Sequence, residues 1–156
     1  MMDKGQIDDI VGDMMVVIDT NVLVAGLMSR RGASYLILRG IARDVVDFSI
    51  SVPLYLEYED VLKRPVIIRQ AGLSAKDIDM LLDLIADKGH QTPLHFSWRP
   101  QLRDAKDEMV LEAASNGGAQ AIITFNQRDF LPAASAFDIR IISPSDYLAT
   151  IRERIP

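Results

Sequence analysis

Four acidic residues stand at separate points of the 156-residue sequence, where the folded chain could gather them around a divalent cation. They are Asp19, Glu57, Asp107 and Asp129. Carboxylate oxygens are the ligands that hard cations such as Mg²⁺ and Mn²⁺ prefer. In phosphodiester hydrolysis such ions generate a hydroxide nucleophile and neutralise charge on the scissile phosphate. If the fold gathers these acids, they would suit a metal-dependent hydrolase of phosphodiesters with one or two bound ions.

Each of these acids also has an ordinary structural interpretation. Asp19-Thr20-Asn21 is typical of a turn, and Asp104 with Asp107 suits the start of a helix, where negative charge is favoured. Taken alone, Glu57 would be a surface residue of a helix and Asp129 a loop residue. The metal interpretation therefore requires a fold that brings the acids together from separate elements.

Three further polar residues are candidate supporting residues of the same site. Thr20 could orient a carboxylate or a water, although a simple turn hydroxyl is the alternative interpretation. Asp104 precedes Asp107 at a predicted helix start, and Asn126 offers a neutral amide oxygen after a predicted strand.

Short apolar runs alternate along the chain with segments of helical periodicity. Strands are predicted at 14–18, 48–52, 94–98, 121–124 and 139–142, and helices at 34–42, 54–64, 104–115 and from 74 and 144 onward. Strands that alternate with helices predict an α/β fold with a mainly parallel sheet covered on both faces. Ligands of such sheets bind outside the carboxyl ends of the strands. Asp19 directly follows the first predicted strand, so it is expected at that edge.

Composition limits the class of protein. The chain is 49% apolar and 25% charged, contains no cysteine and carries a net charge of −5. It lacks an apolar run of the ~20 residues that a membrane span needs and a recognisable secretory signal. We expect a loose arm over 1–13, a single domain over 14–156, and a cytoplasmic protein without a membrane partner.

An acidic chain must bind nucleic acid through a local cluster of basic residues, because phosphate neutralisation supplies much of the affinity. The sequence has such candidates between positions 30 and 69. The leading group is Arg30, Arg31, Arg39 and Arg43, and the others are Lys63, Arg64 and Arg69. Solvated surface charge is the alternative interpretation for each of them.

The segments that carry the acids resemble the four motifs of PIN-domain nucleases, in the same order. The segments are 16–24 around Asp19, 56–65 around Glu57, 104–114 around Asp107 and 122–130 around Asp129. Order and approximate spacing match from about residue 15 to residue 145. The segment from Glu57 to Pro65 is most similar to the PIN-family toxins of prokaryotic toxin–antitoxin pairs.

The resemblance implies a three-layer α/β/α sandwich and cleavage of RNA that depends on Mg²⁺ or Mn²⁺. By the residue-by-residue match, Asp19, Glu57 and Asp107 would be the core metal ligands, Asp104 would support them, and a second ion would lie near Asp129. The same resemblance implies an RNA substrate, a cognate antitoxin protein as a partner, and a homodimer.

Two residues depart from the family pattern, since many members have an acid in place of Asn126 and many of the most similar ones have Gly in place of Phe125.

Three other classes of α/β protein fit the sequence less well. A haloacid dehalogenase-type phosphatase needs Asp where Asn21 stands, a receiver domain needs adjacent acids, and a dinucleotide-binding enzyme needs a Gly-rich turn. A catalytically silent PIN domain that binds protein or RNA remains the alternative function.

Overall fold

Short parallel strands lie at the centre of the protein in the computed structural model, which describes residues 3, 4, 6, 13–94, 102 and 104–156. The strands are β1 (Val16–Ile18), β2 (Ser49–Ile50), β3 (His90–Gln91), β4 (Ala121–Ile123) and β5 (Arg140–Ile142). The helices are α1 (Thr20–Met28), α2 (Ala33–Ala42), α3 (Val52–Leu62), α4 (Pro65–Ala71), α5 (Ala75–Lys88), α6 (Ala105–Asn116), α7 (Gln127–Ala134) and α8 (Pro144–Ile151).

The strands form two parallel ladders that meet at one point. β1 pairs with β4 and β4 pairs with β5, while β2 pairs with β3. A single bridge between Val16 and Phe48 joins the two ladders within the described part of the chain. The resulting order is β3-β2-β1-β4-β5. Strands are added to one side of β1 as far as β3 and then to its other side from β4 onward. The strand order therefore reverses between β1 and β4, and α/β folds bind their ligands at such a point.

The two central strands are apolar along their whole length because helices cover the sheet on both faces. Val16, Val17 and Ile18 are all buried, and so are the three residues of β4. Successive side chains of a strand point to opposite faces, so complete burial requires cover on both sides. The predicted three-layer α/β/α architecture is therefore confirmed.

Helix ends follow local sequence signals. Ser74 and Asp77 form a capping box at the start of α5, and Asp104 caps α6 by accepting a hydrogen bond from the Lys106 N–H at 2.8 Å. At the other end of α6, Gly118 adopts φ +63°, and the Ala119 N–H donates to the Ala114 carbonyl. This is a Schellman cap, and glycine meets its left-handed φ without strain.

Several boundaries differ from those predicted. Pro65 does not simply end a helix, because it also occupies the first position of the unpredicted α4, where its missing N–H is not needed. A second unpredicted helix, α1, starts directly after Asp19. The strands are shorter than expected, and β3 was not predicted.

Two expectations fall largely beyond the described residues. In the predicted strand 94–98, Leu94 has no regular structure and the other four residues lie outside the described part of the chain. Most of the predicted arm, 1–13, also lies outside it. Among the helices described, none combines the length and apolar character that a membrane span requires.

Candidate active site

The carboxylate of Asp19 lies at the carboxyl end of β1, next to the end of β4. The Asp19 N–H continues the ladder by donating to the Ile123 carbonyl at 2.9 Å. This register brings Thr124 alongside, and its hydroxyl donates to Asp19 Oδ2 at 2.7 Å. Asp19 is only 8% exposed. The side chain is thus fixed at the point where the strand order reverses.

Thr124 is the polar residue of this site that the sequence analysis missed. It is completely buried, and its hydroxyl oxygen also accepts a hydrogen bond from the Asn126 N–H at 2.9 Å. The hydroxyl bound to Asp19 therefore belongs to Thr124, while Thr20, predicted for this role, lines the cleft beside it. Only the pairing of β1 with β4, which the sequence does not show, reveals the importance of Thr124.

An open cleft of ≈ 390 Å³ brings together most of the predicted site residues from separate elements. Those that line it are Asp19, Thr20, Glu57, Asp104, Asp107 and Asn126. Three of the acids come from three places: the end of β1, the middle of α3 and the first turn of α6. The required convergence of acids from separate elements is therefore present.

Asp129 is exposed in the first turn of α7 and does not line the cleft. Its charge still raises the pKa values of Asp19 and Asp107, so it lies within electrostatic range of both. Asn126 precedes α7, and its side chain makes no capping hydrogen bond to that helix. The structure thus places the amide in the cleft and the fourth acid beside it.

Burial and like charge both act on the acids of the cleft. Burial, followed by the charges of Asp19, Asp104 and Asp129, raises the pKa of Asp107 to about 6. Burial also raises the pKa of Asp19, while the hydrogen bond from Thr124 opposes the increase. Burial and the repulsion between neighbouring carboxylates both favour the protonated form. A divalent cation would relieve this repulsion.

Glu57 is held near the end of β1 by its neighbour on α3. Its side chain is 11% exposed. The hydroxyl of the adjacent Tyr58 is fully buried and donates a hydrogen bond to the Ile18 carbonyl, one residue before Asp19. This contact ties α3 to β1. Tyr58 therefore fixes the element that carries one acid against the strand that carries another.

Two basic side chains line the cleft, and neither belongs to the leading group predicted to bind nucleic acid. Lys106 Nζ lies 3.7 Å from Glu57 Oε1, and Arg64 pairs with Asp60 at 3.0 Å. None of the predicted group lines the cleft: Arg30 and Arg31 follow α1, Arg39 lies on α2 and Arg43 directly follows α2. Within this group, Arg39 donates to the Pro156 carbonyl at 2.9 Å, while Arg30, Arg31 and Arg43 are exposed.

The chemistry of the donor set fits a hard divalent cation. Over the residues the structure describes, no three acidic or histidine side chains are close enough to form a complete metal site. The cleft nevertheless offers carboxylate and amide oxygens, with raised pKa values at two of the carboxyls. Oxygen ligands of this kind suit Mg²⁺ or Mn²⁺ rather than a softer metal.

Comparison with known proteins identifies the family of this chain. The chain matches no curated protein. The sequence profile of the PIN domain matches residues 15–128. That range includes Asp19, Glu57, Asp107 and Asn126 and ends one residue before Asp129. Because the match covers most of the chain, the protein belongs to the PIN domain family, whose members are generally nucleases.

Proposed function

We propose that this protein is a metal-dependent endoribonuclease that hydrolyses phosphodiester bonds of RNA in the cleft at the ends of β1 and β4. The observation that carries the proposal is the convergence of Asp19, Glu57 and Asp107 from three elements on one cleft. The raised pKa values of Asp19 and Asp107 add support, because perturbed carboxyls cluster at functional sites.

In the proposed mechanism Asp19, Glu57 and Asp107 hold the first divalent ion. When bound, Mg²⁺ or Mn²⁺ supplies an acidified water as nucleophile and neutralises charge on the phosphate. Asp104 supports this group from the cap of α6. Asp129 provides the charge, and Asn126 a neutral oxygen, for a second ion.

The remaining residues of the cleft orient these ligands and the substrate. The hydrogen bond from Thr124 fixes the orientation of the Asp19 carboxylate. Lys106 and Arg64 line the same cleft and can each donate to a phosphate oxygen. Thr20 remains a candidate for orienting a water, and Arg30, Arg31, Arg39 and Arg43 remain candidate contacts for RNA outside the cleft.

The proposed biological role is that of a cytoplasmic toxin in a toxin–antitoxin pair. The similarity of the segment from Glu57 to Pro65 to PIN-family toxins supports this role. The toxin role implies two partners, which are a cognate antitoxin protein and a second copy of the chain in a homodimer.

The test is cleavage of an RNA oligonucleotide with and without Mg²⁺ or Mn²⁺. We expect metal-dependent cleavage by the natural protein and none by Asp19→Asn, which is nearly isosteric but removes the charge that binds the ion. Asp87→Asn is the matched control, because Asp87 is an exposed acid of α5 outside the cleft. It should cleave normally.

Two results would contradict the proposal. A folded Asp19→Asn variant with full activity would show that the cleft is not the site of cleavage. RNA binding by the natural protein without any metal-dependent cleavage would favour the alternative function, a catalytically silent PIN domain that acts as a binding module.

A further inference from the structure

Phe125 is an exposed aromatic residue that is adjacent in sequence to residues of the candidate active site. It is 53% exposed, whereas the other described phenylalanines are buried or half-buried. Its neighbour on one side, Thr124, binds the Asp19 carboxylate, and its neighbour on the other side, Asn126, lines the cleft. Phe125 is therefore flanked by one residue that binds a proposed metal ligand and by one residue that lines the cleft.

The backbone that carries this ring is held on both sides. The Thr124 N–H donates to the Ile142 carbonyl at 3.0 Å, and the Asn126 N–H donates to the Thr124 hydroxyl at 2.9 Å. The Phe125 N–H points to Asn21 Oδ1 at 3.5 Å. Because the backbone is already fixed, a ligand that stacks on the ring has little chain entropy to overcome.

We infer that Phe125 is a stacking platform for an unpaired base that flanks the scissile phosphate. This inference rests on the proposed function. A phosphate bound at the carboxylates places its flanking bases near the edge of the cleft, where the exposed ring can cover one base face. In duplex RNA those faces are already covered by neighbouring bases, so only unpaired bases can use the ring.

An exposed phenylalanine can also belong to a protein interface, and the chain offers a control for this possibility. Leu131, on the following helix α7, is 59% exposed and lies outside the cleft. A protein interface over this region would use both residues, whereas base stacking needs the aromatic ring alone. The comparison of Phe125→Ala with Leu131→Ala therefore separates the two.

The experiment measures binding of a labelled single-stranded oligoribonucleotide, and of the same strand in a duplex, at fixed salt. All proteins carry Asp19→Asn so that none cleaves the probe. We expect Phe125→Ala to weaken single-strand binding about tenfold, the effect of losing one base stack. Phe125→Tyr, which keeps the ring, and Leu131→Ala should bind within about twofold of the parent.

A second measurement detects stacking directly. A fluorescent adenine analogue is moved along the single strand one position at a time. Stacking on an aromatic ring quenches its emission, so we expect one position whose fluorescence falls on binding, and this fall should be absent in Phe125→Ala. Duplex binding should be weaker than single-strand binding and unchanged by Phe125→Ala.

Several outcomes would overturn the inference. They are undiminished single-strand binding by Phe125→Ala, an equal loss in Leu131→Ala, an equal loss for the duplex, or a changed association state of Phe125→Ala in size-exclusion chromatography. If metal-dependent cleavage is present while Phe125→Ala binds normally, only this inference fails. If the natural protein neither binds nor cleaves RNA, the proposed function fails with it.

Discussion

Asp19 and Asp107 differ in how the protein accommodates their charge. Asp19 is the more deeply buried, but it accepts a hydrogen bond from Thr124 that favours its ionised form. No comparable hydrogen bond favours ionised Asp107, and the charges of four neighbouring acids add to the effect of burial on its pKa. Active sites commonly retain such unfavourable charge because it binds the ligand, at the expense of stability.

The pKa of Asp107 predicts how the stability of the metal-free protein depends on pH. Folding raises this pKa from 3.8 to about 6, so the folded protein binds the proton more tightly than the unfolded chain does. The stabilisation from this group is complete below pH 3.8 and is lost as the pH rises through about 6. We predict a rise in melting temperature from pH 7.5 to pH 5 that is smaller in Asp107→Asn.

Thermal melts in the presence of a chelator measure this difference. Asp87→Asn serves as the control and should keep the pH dependence of the natural protein. Addition of Mn²⁺ should stabilise the natural protein more at pH 7.5 than at pH 5, because protons compete for the same carboxylates. An identical pH dependence in Asp107→Asn and the natural protein would contradict the assignment of this pKa.

At the scale of elements, α3 and β1 must keep a fixed distance for Glu57 and Asp19 to share a ligand. The buried hydrogen bond from the Tyr58 hydroxyl to the Ile18 carbonyl makes this connection. Ser51 fixes the start of the same helix by accepting a hydrogen bond from the Leu54 N–H at 3.2 Å. Tyr58 is therefore a positioning residue rather than a ligand.

We predict that Tyr58→Phe lowers the free energy of unfolding by about 1–3 kcal/mol, because the Ile18 carbonyl loses its buried partner. It should also weaken the affinity for Mn²⁺ severalfold at temperatures well below the melting transition. Denaturant unfolding and metal titration measure the two effects. Tyr55→Phe is the control, since Tyr55 lies half-buried on the same helix but outside the cleft. A destabilised variant with unchanged metal affinity would limit Tyr58 to a structural role.

The elements also show what the sequence could predict. The fully apolar runs before Asp19 and Thr124 identified β1 and β4, and the capping signals at Ser74 and Asp104 identified α5 and α6. Neither α4 nor β3 carries a comparable pattern: α4 has no fully buried residue and both residues of β3 are exposed. Thr124 was missed because its role depends on strand pairing, which is set by tertiary contacts.

At the scale of the whole molecule, an acidic protein must attract RNA with few basic residues. The net charge is −5, while the cleft itself contains Arg64 and Lys106. The basic side chains of Arg30, Arg31, Arg39 and Arg43 do not line the cleft. Binding should therefore be weak at high salt and sensitive to each phosphate contact.

The salt dependence of RNA binding tests which basic residues contact phosphate groups. For single-stranded RNA, each lost phosphate contact should reduce the slope of log affinity against log salt by about 0.7. We predict such reductions for Arg64→Gln and for a combined change of Arg30, Arg31, Arg39 and Arg43 to Gln. Arg140→Gln, an exposed change on the edge strand β5, is the control. An intact slope in the combined variant would restrict the binding face to the cleft.

The two ladders are joined by a single bridge in the described part of the chain, and this affects how the protein unfolds locally. Val16 and Phe48 form the bridge, and the Val16 N–H donates to the Asp47 carbonyl at 3.0 Å. Asp19 follows a strand of one ladder, and Glu57 lies on the helix that follows a strand of the other. Regions joined by few backbone hydrogen bonds tend to exchange their amide protons as separate cooperative units. A ligand bound by both carboxylates would link these two units. The ligand-bound protein would then exchange its amide protons as a single cooperative unit.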